Sequence, residues 1–320
     1  MKTVALGNTG IQVPILAMGA ASLGSIYRPV SQQQANETVA AALKNGVNYF
    51  DVAPYYGLTT AEKALGQALQ GIPRENYTMA TKVGRYGDSQ WDFSRSATLR
   101  SVEESLARLG TDYIDIIQCH DVEYGDLKQI KEEALPTLRE LKQQGVVRHI
   151  GITGYCLDFI EQLAIEEHVD TVMAYCTWTL QDRRLGAVAK RLKQAGIGVL
   201  NASPLGMGLL THIGAPTWHP AHETVQDTCK ELAKFCEEHG ENLSRIAIQF
   251  AISTALENGI ASTVIGTSSE ENMLENIAWS KTPLDPQIYT EIETRISPVL
   301  NIGWDILPGS GGKAKNELLR

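Results

Sequence analysis

Apolar residues along the chain alternate between two rhythms. Short, nearly continuous apolar runs recur at 15–19, 47–50, 77–82, 113–118, 146–152, 171–176, 197–202 and 260–265. Between and after them lie stretches with apolar residues three and four apart, at 32–44, 60–69, 94–109, 127–144, 156–167, 183–195, 222–239, 243–257, 269–278 and 286–296. Runs without a polar alternate predict strands covered on both faces, and the wider spacing predicts amphipathic helices. The punctuation agrees. Ser31 and Thr60 are candidate helix caps, and Asn45-Gly46, Gly110, Gly145 and Gly196 stand where helical periodicity stops. Residues 3–17 differ. Apolar-rich 3–6 and 11–15 flank Gly7-Asn8-Thr9-Gly10 and read as a hairpin.

Eight strands alternating with helices predict an α/β fold, either a (β/α)8 TIM barrel or an open doubly wound sheet. Two absences favour the barrel. No Gly-x-Gly-x-x-Gly follows an early strand, and no composition break marks a second domain. Residues 1–320 therefore read as one domain with extra C-terminal helices. The glycine-rich tail, 307–320, is expected to be mobile.

Composition narrows the partners. Hydrophobic residues make up 43% of the 320, enough for a large core, while net charge is −9 and the pI about 5.3. The acidic balance and scattered basic residues argue against nucleic acid and anionic membrane as partners. No apolar run reaches the roughly 18 residues of a membrane span, and residues 1–7 lack a secretory signal. Five cysteines, odd in number and without Cys-x-x-Cys spacing, read as thiols in a reducing cytoplasm.

In such a barrel, chemistry sits in the loops leaving the C-terminal ends of the strands. The second strand ends in Asp51, with Tyr56 beyond it; the third ends in Thr81-Lys82; the fourth in Cys119-His120-Asp121. Singly, each has a bland reading as a loop cap, a snorkelling lysine or a core histidine. Together they bring an acid, a phenol, an ammonium and an imidazole to one rim. A nearby ammonium favours phenolate and lowers the phenol's pKa from about 10, and a carboxylate keeps that ammonium charged. The tyrosine then becomes a usable proton donor or acceptor, and the histidine can orient a substrate oxygen. Proton transfer at an oxygen pairs with hydride transfer to or from a nicotinamide. His219 and His222 lack a third ligand near in sequence, so no metal is expected.

The stretch Asn48-Tyr49-Phe50-Asp51-Val52-Ala53-Pro54-Tyr55-Tyr56-Gly57, then Thr81-Lys82, then His120, resembles the signature of the aldo-keto reductase superfamily, and the likeness runs from Leu6 to Asn276. It implies a barrel whose N-terminal hairpin closes the bottom, and a catalytic set of Tyr56 as proton donor or acceptor, Lys82 and Asp51 tuning it, and His120 orienting substrate. The segments at 119–125, 151–154, 202–210 and 218–220 resemble the aldose 1-dehydrogenase members, of L-galactose and L-fucose type. They imply oxidation of a sugar at C1 to the lactone, with NAD as cofactor. Residues implied to hold the cofactor are Thr153, Gly154, Tyr175, Ser203, Leu205 and Gly206 at the nicotinamide end, and Gly266, Thr267, Ser268, Asn272, Glu275 and Asn276 at the adenosine end.

Departures from the family pattern are informative. Thr153-Gly154 stands where many members have Ser-Asn, Tyr175 where a Gln underlies the nicotinamide, and Ala202 where an aromatic often stacks. The last loop carries Glu270 and Glu271 and no basic residue for a 2′-phosphate, which favours NAD over NADP. Lys230 or Arg245 reaching in is the alternative. Candidate substrate-pocket residues are Tyr55, Tyr86, Trp91, Asp121, Glu123, Trp178 and Trp304, aromatic walls with a few polar groups. Without a basic cluster, a phosphorylated sugar is not expected, with Arg85 and Arg28 as reservations. Two other readings share the same catalytic set: a general aldehyde or ketone reductase, and a redox-sensing binding subunit. The latter is ranked last because the chain starts directly at the hairpin.

Overall fold

The computed structural model describes residues 1–26 and 28–304; the expected mobile tail at 307–320 lies outside them. A hairpin of β1 (Thr3–Ala5) and β2 (Gln12–Pro14) precedes a closed barrel of eight parallel strands. These are β3 (Leu16–Gly19), β4 (Tyr49–Asp51), β5 (Thr78–Val83), β8 (Ile114–Cys119), β9 (Val147–Gly154), β10 (Thr171–Tyr175), β11 (Gly198–Ala202) and β12 (Ser262–Gly266). Each pairs with the next, and β12 closes on β3 with Thr263 opposite Leu16. The fold is the (β/α)8 barrel, not the open sheet, with extra helices at Leu243–Ser253 and Pro286–Ile296. Among the described residues no helix is long and apolar enough to cross a membrane.

The continuous apolar runs are explained by burial on both sides. All six residues of β8 are buried. Ile117 and Cys119 pack outward in the large cluster with the helices, while Ile116 faces the lumen with Ala17, Tyr49, Ala80, Met173, Leu200 and Val264. Leu6 and Val13 of the hairpin join that lumen cluster and plug the barrel's N-terminal end. Burying each such aliphatic side chain contributes on the order of 1.5–3 kcal/mol. The plug needs Gly7, whose φ is +53° and whose added Cβ would stand 2.4 Å from the Gly198 amide nitrogen.

Helix starts follow local chemistry in one case and not in another. Ser31 caps helix Gln32–Lys44 in a reciprocal capping box with Gln34. Thr60 does not cap its helix. The cap position is Thr59, at φ 77° and without a side-chain cap bond. The helix expected over 127–144 is interrupted by a π turn, Ile130–Ala134, ahead of Leu135–Gln143. Pro136 has no N–H and its ring crowds the carbonyl four residues back; the wider turn before it relieves both. The sequence pattern also missed a short hairpin, β6 (Arg85–Gly87) and β7 (Gln90–Trp91), which lacks apolar alternation and rises from the end of β5.

Candidate active site

Strand register brings the central groups together. Asp51 is opposite Ala80, and Lys82, two residues on, shares that residue's face. Lys82 is opposite Gln118 in turn. The Lys82 ammonium pairs with Asp51 Oδ1 and donates to the Val52 carbonyl at 2.8 Å. Gln118 Nε2 donates to Asp51 Oδ2 at 2.9 Å, so both carboxylate oxygens are partnered. Such partnering is what a buried ion pair needs to offset its desolvation. Gln118 was absent from the sequence-based set. Its position two residues before His120, on the same strand face, was the available signal.

Tyr56 lies on the loop leaving β4. That loop is pressed onto the 3-10 turn Ala21–Gly24, where a Cβ at Gly57 (φ +58°) would stand 2.2 Å from the Gly24 carbonyl oxygen. The Tyr56 ring centroid is 4.8 Å from Lys82 Nζ, and the His120 ring sits edge-on to it at 5.5 Å. Asp51, Tyr56, Lys82 and His120 thus converge at the C-terminal mouth of the barrel.

The electrostatics correct one expectation. Burial raises the Tyr56 phenol to about 12; the Lys82 charge pulls the other way but does not win. The resting site therefore holds a phenol. Burial also works against the Lys82 ammonium, yet Asp51 and Tyr56 outweigh it and leave its pKa raised. His120 is held well below the ordinary histidine value by burial and then by Lys82 and Arg85, so it is neutral at pH 7. A buried phenol beside a fixed cation and a neutral imidazole can give or take a proton at a substrate oxygen.

Of the expected pocket residues, Tyr55 and Asp121 lie against His120, Trp91 meets Tyr55 through Arg85, and Trp304 packs on Tyr155. The Tyr55 ring is 6.0 Å from that of His120, and its hydroxyl donates to Asp88 Oδ1 at 2.8 Å. Asp121, at φ 45°, accepts from Arg85 Nη1 at 2.7 Å, and its Oδ2 lies 3.7 Å from His120 Nε2. The Arg85 guanidinium lies over the rings of Tyr55 and Trp91. Trp304 stacks on Tyr155 at 4.3 Å and meets His219 edge-on.

Others are placed elsewhere. Trp178 is buried in the outer core, stacked on Phe250. The Tyr86 hydroxyl accepts from the Gly84 amide and donates to the Ala97 carbonyl, facing helix Arg95–Leu109. Glu123 is fully buried beneath the loop leaving β9. Its Oε1 accepts from the Tyr155 amide at 2.5 Å, and Oε2 has no partner. A Cβ on Gly154 would come within 2.3 Å of that oxygen, so Glu123 occupies the volume a side chain at 154 would need.

Burial, followed by the nearby Asp121, pushes the Glu123 carboxyl up to about 8. The folded chain then binds a proton that the unfolded chain releases near pH 4.5. This group's share of stability is present below that pH and falls away as pH rises toward 8. Glu123→Gln is expected to flatten the decline of melting temperature between pH 5 and 8. Parallel melting curves for the two proteins across that window would refute the assignment.

The remaining cofactor candidates border the mouth in sequence along β9 to β12. Thr153 Oγ1 accepts from the Asp121 amide at 2.8 Å and donates to its Oδ1 at 3.1 Å, so it is already engaged. Tyr175 ends β10 beside Tyr155 at 5.6 Å. After β11 the backbone turns tightly, with positive φ at Ser203, Gly206, Met207 and Gly208. His219 Nδ1 accepts from the Ala221 amide, which leaves Nε2–H to donate to the Gly206 carbonyl at 2.9 Å and hold that turn. His222 caps helix Glu223–Glu238. Partly exposed Ser203 and Leu205 give a polar and an apolar surface at the mouth.

Beyond β12, Gly266 and Asn272 are exposed, Thr267, Ser268 and Asn276 are buried, and Ser269 caps helix Glu270–Trp279 with exposed Glu275 on it. The Thr153, Ser203, Thr267 and Ser268 hydroxyls, the Tyr175 ring and the Asn272 and Asn276 amides are the group types a nicotinamide dinucleotide would engage. No basic side chain belongs to the last loop; Lys230 pairs with Asp227 and Arg245 with Glu241.

Known proteins resemble the chain over nearly all of its length. It is 40% identical to L-galactose dehydrogenase of Arabidopsis thaliana over 309 residues, 94% of this chain and 96% of that one. It is 35% identical to D-arabinose 1-dehydrogenase of Saccharomyces cerevisiae, covering 81% and 80% of the two chains. An aldo-keto reductase from Bacillus halodurans, solved in its holo form, superposes with a TM-score of 0.75 at 27% identity over 95% of this chain and 97% of that one. Residues 15–296 match the profile of the Aldo/keto reductase family, and the chain belongs to that family of oxidoreductases.

Proposed function

We propose that the protein oxidises an aldose of the L-galactose or L-fucose type at C1 to the lactone, with NAD as cofactor. The observation that carries this reading is the convergence of Tyr56, Lys82, Asp51 and His120 on one buried site at the barrel mouth. The sugar comes from the names of the relatives, L-galactose and D-arabinose dehydrogenases. Tyr56 accepts the proton of the anomeric hydroxyl. Lys82 stabilises the phenolate form, Asp51 with Gln118 holds the ammonium in place, and neutral His120 orients the same oxygen. A nicotinamide, when bound, supplies the acceptor for the C1 hydride.

NAD is preferred on charge. The acidic first turn of helix Glu270–Trp279 repels a 2′-phosphate carrying about two negative charges, and the loop after β12 holds no arginine or lysine to offset it. The odd number of cysteines without Cys-x-x-Cys spacing supports a reducing, cytoplasmic setting.

The test is NADH formation across L-galactose, L-fucose, D-arabinose and simple alcohols, repeated with NADP at equal concentration. Sugar turnover with NAD is expected. Brisk aldehyde reduction without sugar turnover would replace the reading with a general carbonyl reductase, and a clear NADP preference would sink the cofactor assignment.

A further inference from the structure

Resting on the proposed sugar oxidation, we infer that Arg85 is a specificity-determining residue that, with Asp121, reads a substrate hydroxyl beside His120. Arg85 projects from the short hairpin β6–β7 over the barrel mouth. Its guanidinium carbon lies 3.7 Å from the Tyr55 ring centroid and 4.8 Å from that of Trp91, two surfaces that fix the plane of the fork. Nη1 donates to Asp121 Oδ2 at 2.7 Å, while Nε is buried and has no hydrogen-bond partner. Arg183 and Arg245 carry the same unpartnered Nε in ion pairs with Glu293 and Glu241, so what sets Arg85 apart is where its pair lies.

The location ties this pair to the reaction. Asp121 Oδ2 is 3.7 Å from His120 Nε2, and Tyr55 is the residue before Tyr56. The pair therefore borders the place where the reacting oxygen is held. Its charges cancel, so it offers a neutral donor and acceptor side by side. A hydroxyl satisfies both at once: its oxygen accepts from the guanidinium and its hydrogen donates to the carboxylate. A phosphate would meet the Asp121 charge. The same neutralisation disposes of Arg85 as a reservation against an unphosphorylated sugar.

The test is a coupling cycle between protein and substrate. kcat/KM is measured for the unsubstituted enzyme, Arg85→Met and Arg85→Lys, on L-galactose and on its monodeoxy analogues. Arg85→Met is expected to lose about 30-fold or more on the intact sugar, mainly through KM, as for a lost hydroxyl contact in a desolvated site. For the analogue lacking the contacted hydroxyl the loss should be at least about tenfold smaller, so that the two removals are not additive. Arg85→Lys, which keeps the charge but not the fork, should fall between. Equal losses on every sugar would mean that Arg85 only supports the loop, and no loss would mean that it is idle; either overturns the inference while leaving the sugar reading in place. An unsubstituted enzyme that oxidises no sugar would instead overturn the proposed function, and this inference with it.

Discussion

Tyr56→Phe is expected to lower turnover by about 10²–10⁴-fold while leaving the affinity for NAD close to that of the unsubstituted enzyme. The substitution removes one oxygen from a ring whose packing against Lys82 and His120 is otherwise kept. Steady-state NADH formation measures the first effect, and quenching of tryptophan fluorescence on titration with NAD measures the second. Retained turnover would remove Tyr56 from the proton-transfer role; weak NAD binding would mean that its role is in the cofactor site. The pH profile of the unsubstituted enzyme adds a second check. Burial raises the phenol to about 12, so the basic form is scarce at neutral pH and grows tenfold per pH unit. Sugar oxidation is therefore expected to climb through the alkaline range. Aldehyde reduction, which uses the phenol as donor, should not climb with it.

Lys82→Met is expected to cost both activity and stability. Lys82 and Asp51 are each almost fully buried, at 1% and 3% exposure. Removing the ammonium leaves the carboxylate with Gln118 as its side-chain partner, and stranding one member of a buried pair costs about 3–5 kcal/mol. The expected readout is a lower urea midpoint with an unchanged slope. Adding Asp51→Asn in the same chain removes the stranded charge and should recover part of the stability, while turnover stays lost. Any residual activity of Lys82→Met should shift to higher pH, because the one strong pull that lowers the Tyr56 pKa has gone. A variant that unfolds at the same urea concentration as the parent would show that the buried pair does not stabilise the fold.

The sequence foresaw the barrel because its signals are local. Strand-length apolar runs, helix-spaced repeats and glycine stops depend on neighbours within a few residues. Asp51, Tyr56, Lys82 and His120 were legible for a related reason. Parallel strands in a barrel must deliver their C-terminal ends to one rim, so residues at those ends meet whatever the details of packing.

What only the tertiary structure decided depends on depth and on contacts between distant segments. Trp178 and Tyr155 are both aromatics soon after strands; one stacks on Phe250 in the outer core, the other on Trp304 near the mouth. Composition cannot tell them apart. Gln118 and Arg85 became part of the site through register and through a hairpin with no apolar alternation. The net direction of the Tyr56 shift was likewise beyond reach. A lysine near in space pulls the phenol down, but burial pushes it up by more, and burial belongs to the whole fold. The sequence by itself determined which chemical groups meet, because strand ends are set by local patterning. Their protonation states, their supporting contacts and the hydroxyl-reading pair at the rim were decided by packing, because desolvation and register exist only once the barrel has closed.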